Sequence, residues 1–210
     1  MPAPGGHKTV QARILEYAQE IGWTFVPRDE AERRRGFDPA GVTPEERARN
    51  ASLFFDEVLF SEVQAFNPQY REAEGALVGA FRRLHIDIYG NRDFLSCLRN
   101  QGKYFWPEES RELDLTVIDY DDIGRPPEAW RNAYEVTEEF YVHNGCHGTR
   151  EDVVFLINGI PVLVVECKNA SKDEAIAKSA DEQSDDPFLS RVALLESLRV
   201  VRAFETLRHP

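Results

Sequence analysis

The sequence predicts an α/β domain, with a helical segment leading into a central, mixed and mostly antiparallel sheet flanked by helices. Three observations predict it. Apolar residues at helical spacing dominate the first hundred positions. From residue 113 the pattern changes to alternation and short apolar runs, the signature of successive strands. Helical residues then resume at 171–183. Strands adjacent in sequence tend to pair as neighbours, so this order favours a meander covered by helices.

Residues 1–8 form a Pro/Gly tail. Residues 9–21 carry apolar side chains at 10, 14, 17, 18 and 21, a helical repeat that Gly22 closes as a cap. Residues 23–26 read as a short strand. Residues 28–50 are charged and carry the run Arg33, Arg34, Arg35. They read as a loop with a short helix starting at Thr43 and Pro44, a cap followed by proline at the first helical position. In that loop the arginines are either solvated or in contact with phosphate.

Residues 52–66 form a second amphipathic helix, stopped by Asn67 and Pro68. Residues 72–86 form a third, followed by a turn at Tyr89, Gly90 and Asn91. Residues 92–100 form a short helix with Gly102 as its cap. Arg82 and Arg83 on the third helix read equally as surface charge or as a phosphate contact. Tyr104, Phe105 and Trp106 read as core, because no basic stripe flanks them as a base-stacking platform requires. Residues 113–120 alternate toward strand, 121–127 form a loop, and 134–142 form another strand. Residues 144–149 form a turn before the hairpin of 152–168.

Composition bounds the function. Of 210 residues, 42% are hydrophobic, enough for one domain with a true core, and the formal net charge is −12 with a pI near 4.9. That is the wrong sign for a free-standing nucleic-acid binder, so a metal ion or basic partners must supply positive charge if the chain meets phosphates. Three cysteines, Cys97, Cys146 and Cys167, make no disulfide framework, and Cys167 in an apolar strand reads as a buried free thiol. The first residues hold no apolar signal region, and no apolar run approaches the roughly 18 residues of a membrane span. A soluble, cytoplasmic protein with no membrane partner is expected. His143, Cys146 and His147 fall short of the about four ligands of a structural zinc site and read as a polar loop.

The densest signal is residues 150–169, REDVVFLINGIPVLVVECKN. Two apolar strands flank Asn158 and Gly159, and Asp152, Glu166 and Lys168 stand at the strand ends. Two carboxylates and a lysine beside a buried hairpin are the parts that hold Mg²⁺ and activate water against a phosphodiester. Side chains alternate along a strand, so Glu166 and Lys168 share one face and Val165 and Cys167 the other. A plain two-residue turn pairs Ile157 with Ile160 and hence Asp152 with Val165, which puts Asp152 on the wrong face. A turn of other than two residues, or a bulge, restores the match. A non-two-residue turn is expected, with Pro161, which cannot donate to the ladder, favouring an irregularity nearby.

This pattern resembles the N-terminal domain of the restriction (R) subunit of type I restriction–modification enzymes. The matching residues are Arg150 and Asp152, the strand 153–157, the Asn158-Gly159-Ile160-Pro161 turn, the strand 162–165, and Glu166-Cys167-Lys168-Asn169. Upstream likeness includes Glu20-Ile21-Gly22-Trp23, Phe66-Asn67-Pro68, residues 91–102, Val117-Ile118-Asp119 and residues 132–136, so the resemblance spans about 9–183. It implies a restriction-endonuclease-like PD-(D/E)xK core and a Mg²⁺-dependent type I site-specific deoxyribonuclease. Asp152, Glu166 and the Cys167 backbone carbonyl would ligate the metal. Lys168 would position or polarise the attacking water, and Gln183 would support the site. A glutamate of the first helix often completes such sites; Glu16 is the candidate, with a solvated helix face as the other reading.

The resemblance also implies double-stranded DNA and the methyltransferase (M) and specificity (S) subunits as partners. The family's ATP-driven translocase lies downstream, and no Gly-x-x-x-x-Gly-Lys-Ser/Thr motif occurs here, so this chain is expected not to bind ATP. Position 187 is proline where the family's Gln-x-x-x-Tyr helix carries tyrosine, and residues 184–210 read as a divergent, truncated or frame-altered end. The alternative function is therefore an inactive remnant acting at most as a DNA- or subunit-binding module.

Overall fold

The computed structural model describes residues 6–69, 79–81, 84, 88–106, 110–143 and 147–167. Its elements in chain order are α1 (Gly6–Glu20), β1 (Thr24–Val26), α2 (Arg28–Arg34), α3 (Pro44–Ala48), α4 (Asp56–Phe66), α5 (Ile88–Leu98), β2 (Lys103–Trp106), β3 (Arg111–Asp114), β4 (Tyr134–His143), β5 (Gly148–Ile157) and β6 (Ile160–Val165). One mixed sheet runs β1-β4-β5-β6, and β2 and β3 form a separate antiparallel ribbon. β1 lies parallel to β4, whereas β4, β5 and β6 make the expected antiparallel meander. The expected helices at 72–86 and 171–183 fall largely or wholly outside the described residues; within the first, 79–81 are helical.

Strand alternation divides the core. Val136, Val153, Phe155 and Val165 meet Leu15 and Ala18 of α1 on one side of the sheet. Val142, Val154, Leu156 and Val164 meet Ala31 of α2 and Phe55 at the start of α4 on the other. Beyond them, Leu59 and Val63 of α4, Phe94 and Leu98 of α5, Leu115, Val117 and Ile118 close around Ile160. Burial of each such side chain contributes about 1.5–3 kcal/mol.

Several elements differ from expectation. α1 buries Gln11, Leu15 and Ala18, whereas Val10, Tyr17 and Ile21 are exposed. The buried stripe is thus rotated from the most apolar one. Residues 28–34 are a helix rather than a loop, held by the Arg28–Glu32, Arg33–Glu30 and Arg34–Glu30 pairs at helical spacing. Arg34 also reaches Glu135 at 2.7 Å. Arg35, neither solvated nor facing phosphate, is buried, donates to the carbonyls of Ser52 and Tyr141 at 2.7 and 2.9 Å, and lies 3.7 Å above the Phe140 ring. α3 carries the expected cap, with Thr43 and Glu46 bonding reciprocally. α5 begins at Ile88, so Tyr89-Gly90-Asn91 is helical rather than a turn, and Asn100 at φ 57°, not Gly102, takes the left-handed cap position. Tyr104 packs against the core, but Phe105 is exposed on the ribbon.

The predicted strand over 113–120 stops at Asp114. The chain beyond it is paired with asparagine side chains instead of a neighbouring strand. Asn67 takes Thr116 N–H at 2.9 Å and gives to its carbonyl at 2.8 Å. Asn100 accepts from Val117 N–H at 2.8 Å and donates to the Ile118 carbonyl at 2.7 Å. Asn132 accepts from Asp119 N–H at 2.8 Å and donates to its carbonyl at 2.7 Å. Asn158 donates to the Val117 carbonyl at 2.8 Å. An amide side chain offers one acceptor and two donors, so it can replace a ladder partner residue by residue.

Asn158 is the hub of this network and is 0% exposed. Its Oδ1 accepts from Ala133 N–H, its Nδ2 also reaches Asn132 Oδ1 at 2.9 Å, and its own N–H gives to the Ala133 carbonyl at 2.8 Å. Asn132 in turn donates to Asp122 at 2.6 Å. Burial alone would push the Asp122 carboxyl up. The N–H groups of Asn132 and Arg131, the Asn132 amide and Arg125 outweigh it and hold the carboxyl below its ordinary value.

Two outcomes are expected. Asn158→Ala leaves several buried backbone groups without partners and lowers the unfolding free energy by about 3 kcal/mol, read from urea unfolding. Because the folded Asp122 carboxyl sits below its unfolded value, its contribution is complete above the ordinary carboxylate range and is lost as pH falls through the folded value. The stability gap between wild type and Asp122→Asn, measured by urea midpoints, therefore narrows below about pH 4.

Candidate functional site

The hairpin that carries Asp152 and Glu166 combines a two-residue turn with a bulge. Ile157 pairs with Ile160, so Asn158 and Gly159 alone make the turn, contrary to the expected longer loop. Both adopt positive φ, 53° and 73°, which suits the right-handed twist of the strands and which asparagine and glycine tolerate best. Gly159 is also sterically required, since a Cβ there would stand 2.6 Å from the Phe55 carbonyl oxygen.

The register then shifts. Leu156 pairs with Pro161 but Phe155 pairs with Leu163, leaving Val162 as the extra residue beside the proline. Beyond it Val153 pairs with Val165. One further step along that register sets Asp152 opposite Glu166, and directly opposed residues of an antiparallel pair share a face. Without the bulge Asp152 would oppose Val165. By this register the irregularity near Pro161 puts Asp152 and Glu166 on one face of the hairpin.

Local contacts agree. Asp152 Oδ2 accepts from the Cys167 N–H at 2.5 Å. Cys167 is a buried free thiol, as expected, and Glu166 is exposed. Burial first, then the charges of Asp152 and Glu166, push the Cys167 thiol up. Lys168 and Gln183 lie outside the described residues. Among the described residues, no group of three or more His, Cys, Asp or Glu side chains is placed to hold a metal ion, including at His143 and His147.

The strand beside Asp152 is itself irregular. Pairing of β4 with β5 is continuous except at Glu139 and Asp152, which stand opposite each other without forming a ladder pair. Glu139 has φ 52°, a conformation costly for a residue with a Cβ, and its carboxylate pairs with Arg150 at 3.5 Å. At this gap the Gln11 side chain of α1 donates to the Asp152 carbonyl at 2.9 Å, and its Nε2 lies 3.4 Å from Glu138 Oε2. Gln11 is a residue that sequence reasoning passed over in favour of Glu16. Glu16 is exposed and falls about 100° or more around the helix from Gln11, Leu15 and Ala18, which meet the sheet. The available signal was a polar residue at i of an i, i+4, i+7 stripe.

Residues 7–196 match the family described as Type I restriction enzyme R protein N terminus. The chain belongs to this family. No curated protein matches it. As an R-protein N terminus it carries the Asp152–Glu166 hairpin within the matched residues, and the match also takes in residues 184–196. Among the described residues, no helix is long and apolar enough to cross a membrane.

The thiol tests the placement of the two carboxylates. Asp152→Asn and Glu166→Gln each remove a charge that raises the Cys167 thiol, so each should lower the pH at which that thiol ionises in the folded protein. The pH dependence of the Cys167 ¹³Cβ resonance measures the midpoint, and unchanged midpoints in both variants would separate the carboxylates from Cys167.

Proposed function

We propose that this chain is a Mg²⁺-dependent endonuclease domain with a PD-(D/E)xK core, hydrolysing DNA phosphodiester bonds as the N-terminal part of a type I restriction R subunit. The observation that carries the reading is the register that sets Asp152 opposite Glu166 in a chain of this family. Carboxylates and a backbone carbonyl are hard oxygen donors, the set that suits Mg²⁺. Asp152, Glu166 and the Cys167 carbonyl would hold the ion. When bound, it would supply Lewis acidity toward the phosphate and lower the pKa of a bound water.

The chain's own groups have distinct tasks. The Cys167 N–H fixes the Asp152 carboxylate, and Glu166 is exposed and accessible to a phosphate. Lys168, two residues along from Glu166 in the sequence, would position the attacking water and offset charge on the phosphorane. Gln183 would support the site. The attacking water gives up a proton as its oxygen bonds to phosphorus, one phosphorus–oxygen ester bond breaks, and the leaving oxygen takes up a proton. With a net charge of −12 the chain does not attract DNA unaided. Double-stranded DNA would reach the site through the M and S subunits, which read the sequence, and through the family's ATP-driven translocase.

Nicking of circular DNA in the presence of Mg²⁺ tests this, with the protein assembled with M and S subunits and a translocase. Asp152→Asn, Glu166→Gln and Lys168→Ala should each slow nicking by about 100-fold or more while the protein remains folded. Equal nicking by wild type and the three variants, or none by any, would leave a binding module that engages DNA or subunits without cleaving.

A further inference from the structure

We infer that Gln11 is a positioning residue for Asp152, clamping its main chain from α1 at the one place where β4 and β5 fail to pair. The consequence for metal binding and cleavage rests on the nuclease reading; the positioning itself does not.

The argument begins with burial. Gln11 is 4% exposed on the stripe whose later members, Leu15 and Ala18, pack on Val136 and Val153. An apolar side chain would serve that stripe better, because a buried amide loses its water and must recover hydrogen bonds inside. It recovers them at the gap opposite Glu139, reaching the Asp152 carbonyl at 2.9 Å and lying 3.4 Å from Glu138 Oε2. Left-handed backbone at a residue other than glycine is kept where surrounding structure enforces it, and such places gather at functional sites.

Two contacts therefore orient Asp152. The Gln11 amide holds its carbonyl from the α1 side, and the Cys167 N–H holds its carboxylate. The two N–H hydrogens of one amide nitrogen serve both a carbonyl and a carboxylate; glutamate would turn an acceptor toward both, and a hydrocarbon would turn nothing. The role resembles that of outer residues that orient metal ligands without touching the metal.

The test compares Gln11→Met, which keeps the volume, with Gln11→Glu, which keeps the shape, in the full chain. The readout is the Cys167 amide proton in ¹⁵N–¹H spectra, whose downfield shift reports its short bond to Asp152; Asp152→Asn identifies that signal. Both Gln11 variants should move the Cys167 amide toward its position in Asp152→Asn, with far-UV circular dichroism unchanged. Calorimetric Mg²⁺ affinity should fall about tenfold or more. A Cys167 amide unmoved in a folded Gln11 variant overturns the positioning role. A moved amide in a protein whose wild type binds no Mg²⁺ sustains the positioning role and removes the nuclease reading.

Discussion

The structure turns on one buried amide. Asn158 sits at the tip of a hairpin, where a solvated turn is the ordinary outcome, yet it is fully enclosed and joins three segments far apart in sequence. Through Ala133 it fixes the start of β4, through Val117 the extended segment beyond β3, and through Asn132 the Asp119–Asp122 turn. Its neighbour Gly159 accepts the N–H of Phe55 at 2.9 Å and so sets the start of α4. In a low-dielectric interior each of these bonds is strong and each would be costly to leave open, so the network admits one arrangement.

That arrangement propagates to the site. With the tip fixed, the register of β5 and β6 is fixed, and the bulge at Val162 then decides which face of β6 looks toward Asp152. A slip by one residue would exchange the two faces entirely. The asparagines along 115–119 serve the same end by a different route. They satisfy an extended segment that has no strand beside it among the described residues, and so hold Val117 and Ile118 in the core under Ile160.

Strain and its compensation meet at Asp152. Glu139 departs from the strand conformation, the ladder opens by one pair, and side chains from other elements take over, Gln11 from α1 and Arg150 from β5. In the R-protein N terminus this opening falls at Asp152. A regular ladder would bind the Asp152 backbone just as well, but it would present the residue as one more member of a flat strand.

The sequence by itself determined the hairpin, the strands of the meander, the first helix and the second, because periodicity and turn chemistry are local, and it marked Asp152 and Glu166 as the candidate carboxylates. The residues from Arg150 to Lys168 also carried the family. The tertiary structure decided what no local pattern encodes. Proline at 161 marked an irregularity, but whether the turn or a bulge would absorb it depended on Asn158 bonding to a segment 41 residues away. Residues 113–120 alternated like one strand, yet beyond Asp114 their partners are amides from four distant positions. Arg35 looked like surface charge until Tyr141 and Ser52 supplied its acceptors. Gln11 looked like an error in the apolar stripe until the gap at Asp152 gave it a partner. In each case the deciding energy is a hydrogen bond made only after distant segments meet.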